Sequence, residues 1–252
     1  MTRDVFVEWL NALEARHLAD LRVPEVTRAL RALSSAYVER RHTVARGAAL
    51  DSHGKRAAFA LFYAPLHFLV ARHVVAAVGA DAVKPSSVVD IGCGTGAAGA
   101  AWALAAGGVP VIGVDRHPWA VEEARWTYRQ LGLNGQAREG DVGRLPALRA
   151  GSAAVAAYVL NELPAPVRQR IEETLLAGAR RGVTVLVLEP IARSLTPWWD
   201  DVAGRFAAAG GRADEWRFAP ELPPMLRLFD KAAGLNHREL TARSLYVPGR
   251  PG

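Results

Sequence analysis

The amino-acid sequence predicts an α/β protein, with a doubly wound, mostly parallel, seven-stranded sheet over residues 83–252 and a helical segment over residues 1–82 before it. Three observations predict this. Apolar residues recur at three- and four-residue intervals as far as Val74, short apolar runs alternate with helical patterns from Val88 onward, and a glycine-rich bend directly follows the first of those runs. With 252 residues, half of them hydrophobic, the chain can bury a core of that size.

Val5, Phe6, Trp9, Leu10, Leu13 and His17 share one face of a first helix. Pro24 suits the opening turn of a second, which continues through Val26, Leu30, Leu33 and Tyr37. The rhythm lapses from Arg46 to Gly54, predicting a loop that carries Asp51, Ser52 and His53. A third helix presents Phe59, Phe62, Tyr63, Leu66, Leu69, Val70, His73 and Val74, with a kink expected at Pro65, where the ladder loses a donor.

Strands are then predicted at residues 88–91, 109–114, 136–139, 153–160 and 183–188, separated by helices at 97–106, 119–131, 166–179 and 197–209. A helix between successive strands calls for parallel pairing with right-handed crossovers. Residues 215–218, a helix around 225–233 and residues 239–247 complete the pattern as the last edge strands.

The formal charge of +6 suits a polyanionic partner such as RNA. Of the 31 basic residues, however, only Lys55, Lys84 and Lys231 are lysines, and alanine is abundant, which looks more like compositional bias than a phosphate-binding surface. The single cysteine, Cys93, excludes an internal disulfide framework, and no Cys/His cluster has metal-ligand spacing, so no metal is expected. No apolar run approaches the roughly 18 to 20 residues that span a bilayer. Arg3, Asp4, Glu8, Glu14, Arg16 and Asp20 occupy the place of a secretory signal. A cytoplasmic protein with no membrane partner is expected.

The most informative segment is Val88-Val89-Asp90-Ile91-Gly92-Cys93-Gly94-Thr95-Gly96. An apolar strand runs into a glycine turn and then a helix, so bare backbone and helix N-terminal amides can face a nucleotide-like ligand. Spacing alone leaves the ligand open, because Gly92, Gly94 and Ala97, or Gly94, Gly96 and Gly99, also satisfy a dinucleotide fingerprint. Asp90 favours a cationic sulfonium over a pyrophosphate, since its carboxylate is expected beside the turn. Asp115, about 20 residues beyond the glycines at the end of the second strand, is placed to accept hydrogen bonds from ribose hydroxyls and would serve either cofactor.

On these residues the chain resembles the class I S-adenosylmethionine-dependent methyltransferases over roughly residues 83–247, with Asp-Ile-Gly-Cys-Gly-Thr-Gly as the specific match. The resemblance implies a Rossmann-like fold and S-adenosyl-L-methionine as cofactor. It implies Asp90, Gly92, Cys93, Gly94 and Gly96 around the methionine portion, Asp115 at the ribose, Arg116 and His117 beside the adenosine, and Asp141 with Val142 at the adenine. Asn161-Glu162-Leu163-Pro164 stands at the fourth-motif position, where Asn161 and Tyr158 are the candidates for orienting the acceptor.

Methyl transfer from a sulfonium is an in-line displacement, so alignment and burial are the main demands and a base is needed only for a protonated nucleophile. His53 is the histidine best placed for a role, because its loop stands just before the helix leading into the domain. The string Tyr-Val-Leu-Asn-Glu-Leu-Pro, with Val187-Leu188-Glu189-Pro190 later, is similar to ribosomal small-subunit methyltransferase-like proteins, although their metal-binding cysteine cluster is missing here. RNA or a ribosomal subunit is therefore slightly favoured as acceptor, helped by Arg40, Arg41, Arg46 and Arg56. The alternatives are a small-molecule acceptor, with the N-terminal helices as a lid over Trp9, Phe59, Phe62, Tyr63, Trp198 and Trp199, and a non-catalytic cofactor-binding assembly factor.

Overall fold

The computed structural model describes residues 4–39, 50–145, 148–235 and 237–249, so Arg40, Arg41 and Arg46 lie outside the described residues. The chain forms two compact units, Met1–Leu66 with Phe218–Leu240, and His67–Arg217 with Thr241–Gly252.

In the first unit, α1 (Val5–His17) starts at Asp4, whose side chain accepts the Phe6 amide at 3.1 Å, and it buries Phe6, Trp9, Leu10, Leu13 and His17. These are the residues whose spacing predicts the helix. Helix α2 (Val23–Glu39) buries Val26, Leu30 and Leu33. Ser52 caps α3 (His53–Ala58), so His53 is its first helical residue instead of a loop residue. A π-helical turn (Phe59–Tyr63) follows and leads into α4 (Ala64–Ala77), which from His67 onward belongs to the second unit. The wide turn, in which the Ala64 amide reaches the Phe59 carbonyl, stands immediately before Pro65 and absorbs the donor that proline removes.

Helices α3 and α4 with the π turn form a continuous stretch, His53–Ala77, that is long and apolar enough to cross a membrane by length and composition, and 72% of its most apolar window is buried. This corrects the expectation that no run reaches that length. The apolar positions are interrupted by His67, Arg72 and His73, which hides the run in a residue-by-residue reading.

The second unit is built on a seven-stranded sheet ordered β3-β2-β1-β4-β5-β7-β6. Strands β1 (Val88–Ile91), β2 (Val111–Asp115), β3 (Gly135–Glu139), β4 (Ala153–Ala157) and β5 (Thr184–Glu189) pair in parallel, with Val88 opposite both Val111 and Ala153. Between them run α5 (Ala97–Ala105), α6 (Pro118–Gln130) and α7 (Ala165–Arg180), as the alternation predicts. After β5 come α8 (Trp199–Ala208), β6 (Arg212–Phe218), α9 (Pro224–Ala233), which belongs to the first unit, and β7 (Leu240–Val247).

The sheet is mixed: β1 to β5 are parallel as expected, but β7 runs antiparallel to β5, with Val185 opposite Val247 and Glu189 opposite Arg243. Nor is β7 an edge, because it enters between β5 and β6. Its composition explains the placement: seven of its eight residues are buried, whereas β6 alternates between exposed and half-buried positions and forms the rim. One face of the sheet packs Ile91, Leu160, Ile171, Val185, Val187 and Phe206 into a continuous apolar core.

The order of strands reverses between β1 and β4, and chains leave both strands at the same edge. Open α/β sheets bind ligands in the crevice outside such a reversal.

Candidate active site

The turn after β1 bends through three left-handed glycines, with φ of 66° at Gly92, 51° at Gly94 and 80° at Gly96. Gly92 must be glycine for a second reason: a Cβ there would stand 2.4 Å from Val159 Cγ2, just beyond β4. The bend is therefore pressed against the chain leaving the neighbouring strand. Gly96 then opens α5 with no side-chain cap.

Asp115 ties the bend to the end of β2. Its Oδ2 accepts the Gly94 amide and its Oδ1 accepts the His117 amide, both at 2.9 Å. Each carboxylate oxygen keeps a further lone pair for an outside donor. Arg116 is exposed, while His117 is half-buried with its Nδ1 enclosed and unpartnered.

Asp90 lies deeper than the sequence suggests. Its side chain is 1% exposed and turns beneath α5, where Oδ2 accepts the Gly99 amide at 2.9 Å. Burial raises its pKa to about 7, against the Gly99 hydrogen bond, and the Asp115 charge adds to the rise. Cys93 is also buried, and its thiol and the Tyr128 hydroxyl would both meet a Cβ on Gly113 at 2.7 Å. Its side chain thus packs downward onto the sheet, and burial pushes the thiol pKa up.

Beyond β3, the Gly140 amide reaches the Asp115 carbonyl at 2.9 Å. Asp141 caps a short 3-10 turn (Val142–Arg144) by accepting the Gly143 amide at 2.8 Å, and Val142 belongs to the apolar core of the sheet.

The end of β4 departs from the predicted strand at residues 153–160. Pairing stops at Ala157, because Tyr158 adopts φ 56°, the sole positive φ of a non-glycine among the described residues. A bulky residue held there costs about 1–3 kcal/mol and persists only when its surroundings over-determine it. Those surroundings are visible: the Tyr158 amide donates to the Leu188 carbonyl at 2.8 Å, and buried Glu189 Oε1 accepts the Leu160 and Asn161 amides at 2.8 and 3.3 Å. The Tyr158 ring stacks on His67 at 4.3 Å and 20°. Burial lowers the His67 pKa to about 4, so the imidazole is neutral. Burial, then the Glu189 charge, raises the Tyr158 pKa, so the phenol keeps its proton. Asn161 Oδ1 is enclosed without a partner.

The second unit therefore assembles Asp90, Gly92, Cys93, Gly94, Gly96, Asp115, Arg116, Asp141, Val142, Tyr158 and Asn161 along one end of its sheet. His53 is exposed at the start of α3 and belongs to the first unit. Neither His67 nor Glu189 is a candidate site residue in the sequence: Glu189 enters only through the Val187-Leu188-Glu189-Pro190 string, and the hint at His67 is a histidine out of phase with the apolar face of its helix. Among the described residues, no group of three or more His, Cys, Asp or Glu could hold a metal ion.

Residues 88–181 match the family model described as a methyltransferase domain. No curated protein matches the chain. The methyltransferase domain of bacterial CtHen1-CN is similar in structure, with a TM-score of 0.50 at 17% identity, over 72% of this chain and 99% of that one. A protein of Nostoc punctiforme PCC 73102 assigned as an O-methyltransferase gives 0.54 at 14% identity, over 96% and 72%. The mitomycin 7-O-methyltransferase MmcR gives 0.51 at 17%, over 98% and 74%. At these identities the likenesses concern the fold. With the domain match, the chain is an S-adenosylmethionine-dependent methyltransferase, and S-adenosylmethionine is its cofactor.

Proposed function

We propose that the chain methylates a small, uncharged organic acceptor, with Tyr158 and Asn161 at the acceptor, the Gly92–Gly96 bend at the donor's methionine portion, Asp115 at its ribose, and Asp141 with Val142 toward its adenine. One observation carries the choice of acceptor. On the side of β1 away from Asp115, the chain leaving β4 presses Val159 on the bend and carries Tyr158, stacked on a neutral His67, while the buried Glu189 carboxylate holds the amides that follow. These groups offer no cation to a phosphodiester, and phosphate contacts dominate RNA affinity.

The arginines behind the RNA expectation do not restore the balance. Arg40, Arg41 and Arg46 lie outside the described residues, and Arg56 Nε donates to the Leu50 carbonyl at 2.8 Å, closing its own helix start. The similar folds do not choose either: one is named for mitomycin and another is a Hen1 methyltransferase domain.

The residues present fit the donor. Bare backbone at Gly92, Gly94 and Gly96 permits close approach, and the orphaned His117 Nδ1 and Asn161 Oδ1 stand just beyond β2 and β4, the strands on either side of β1. The donor supplies a sulfonium methyl with a good leaving group. Asp115 already fixes two loop amides and holds spare lone pairs for ribose hydroxyls. Tyr158, protonated, donates to the acceptor and does not act as base, and Asn161 accepts from it. A nucleophile that is basic enough needs no further proton acceptor.

The test is transfer from methyl-labelled S-adenosylmethionine into two pools, a low-molecular-weight extract and total RNA with ribosomal subunits. Label in the small-molecule fraction, hardly affected by added salt, is expected. Label in RNA overturns the acceptor class, and transfer to neither pool overturns the reading of a small-molecule acceptor.

A further inference from the structure

The stack between His67 and Tyr158 joins α4 to the chain leaving β4, two elements far apart in sequence, at the reversal of strand order. Three facts converge there. Tyr158 is held in a left-handed conformation, its ring lies nearly flat on the imidazole at 4.3 Å, and Val159 behind it is pressed against the glycine bend. As whole residues both His67 and Tyr158 are half-buried.

We propose that His67 is a positioning residue that, by stacking on Tyr158, sets the phenol as a flat wall of the acceptor subsite and so selects planar, neutral aromatic acceptors. The inference rests on the small-molecule reading above. A strained tyrosine has alternative, relaxed conformations that would swing its ring away from the bend, and the imidazole face removes them. A flat acceptor then lies offset on the pair, the arrangement that aromatic quadrupoles prefer. Neutrality suits the site for two reasons. An anion would meet the Glu189 charge that already acts on Tyr158, and His67, with its pKa lowered to about 4 by burial, gives it no counter-charge.

The experiment uses the full chain loaded with S-adenosylhomocysteine. Binding of 2-naphthol and of its saturated, non-planar analogue decahydro-2-naphthol is measured by calorimetry for the natural protein, His67→Ala and His67→Phe. Fluorine NMR of protein carrying 3-fluorotyrosine follows the Tyr158 ring, its signal identified by loss in Tyr158→Phe. The natural protein is expected to bind 2-naphthol at least about tenfold more tightly than the saturated analogue. His67→Ala should shift the Tyr158 signal and weaken 2-naphthol by about tenfold or more, while His67→Phe, which keeps a flat face, restores it to within about threefold. The S-adenosylhomocysteine Kd should stay unchanged throughout, which a merely structural role for His67 would not allow.

The proposal is overturned by any of three results: no preference for the planar probe, a His67→Phe defect as large as that of His67→Ala, or an equal loss of S-adenosylhomocysteine binding. These readings do not depend on turnover. Label transferred to RNA would sink the small-molecule reading while the probe and NMR data still judged the stack.

Discussion

Gly99 donates its amide to the Asp90 carboxylate at 2.9 Å, and a Cβ on Gly99 would stand 2.6 Å from that same oxygen. The acid and the glycine are fitted to each other: the helix sits low enough on the sheet for its first turn to hold a carboxylate that is otherwise sealed from water. The third glycine of the G-x-G-x-x-G spacing thus serves helix–sheet packing here, one of the roles that spacing allows.

Stability should therefore fall as pH rises across the range where only the folded state keeps Asp90 protonated. The pKa rises from 3.8 to about 7 on folding, so between those values the native protein binds one more proton than the unfolded chain. The slope from this group is at most about 1.4 kcal/mol per pH unit, with stability highest at the acid end and the loss complete above the folded pKa. Urea denaturation of the natural protein and Asp90→Asn from pH 4 to 8 isolates the effect: the natural protein loses ground to the variant as pH rises. Parallel curves would show that Asp90 is ionised in the folded protein throughout.

Gly92→Ala should abolish measurable donor binding and lower stability by about 1–3 kcal/mol, through backbone strain at φ 66° and collision with Val159. Gly107→Ala is the matched control. Its φ is 93°, yet nothing lies within 4 Å of the added Cβ, so it should lose stability without losing the donor. Calorimetry with S-adenosylmethionine, beside thermal denaturation, separates the two outcomes.

What could be read from the sequence, and what could not, divides along physical lines. The strand at Val88–Ile91 is legible to the residue because four apolar or buried positions end at a glycine that cannot continue the pleat. Helices α1 and α5 to α7 are legible because their composition and apolar spacing are local properties of the chain. The left-handed Tyr158 is not legible, since tyrosine has no preference for that region. Its conformation is imposed by Leu188, Glu189 and His67, whose proximity only the fold creates. The reversal of β7 has the same origin: its apolar run suits any interior position of a sheet, and direction is decided by where the chain returns from α9. Within the site, the glycines and Asp115 were readable as a motif, while the depth of Asp90 was not, because a carboxylate next to a turn looks alike in sequence whether it faces water or a helix.

Asp115→Asn should weaken S-adenosylmethionine by roughly 10- to 100-fold, the range for losing hydrogen bonds to a charged acceptor of about 1.5–3 kcal/mol. The variant also replaces one amide-accepting oxygen with a donor, so either the Gly94 or the His117 amide loses its partner and the two loops loosen. A donor Kd unchanged by the substitution would remove Asp115 from the cofactor site. Titration calorimetry gives the answer directly.

Glu172 is fully buried on α7 and is paired with both Arg168, at 3.0 Å, and Arg205. Removing the carboxylate in Glu172→Ala should cost about 3 kcal/mol, because the less exposed Arg168 is left without its charge partner. Donor affinity should not change, since Glu172 and its two arginines belong to α7 and α8, whereas the glycine bend joins β1 to α5. A Tm shift with an unchanged donor Kd is the expected pattern, and loss of donor affinity would reveal coupling between those helices and the site.

Asn161→Ala tests the acceptor assignment in the opposite way. Asn161 Oδ1 is enclosed without a partner, so the free protein already bears the cost of an unsatisfied acceptor, and removing it takes away no internal hydrogen bond. The backbone amide of residue 161 still reaches Glu189 in the variant, and the turn after β4 is kept. Stability should therefore stay within about 0.5 kcal/mol of the natural protein, or rise slightly, while turnover falls by about tenfold or more because the acceptor or donor group that satisfies Oδ1 loses its partner. A stable variant with unaltered turnover and acceptor affinity would return Asn161 to a purely local role, and a large loss of stability would mean that its oxygen is satisfied in the free protein after all.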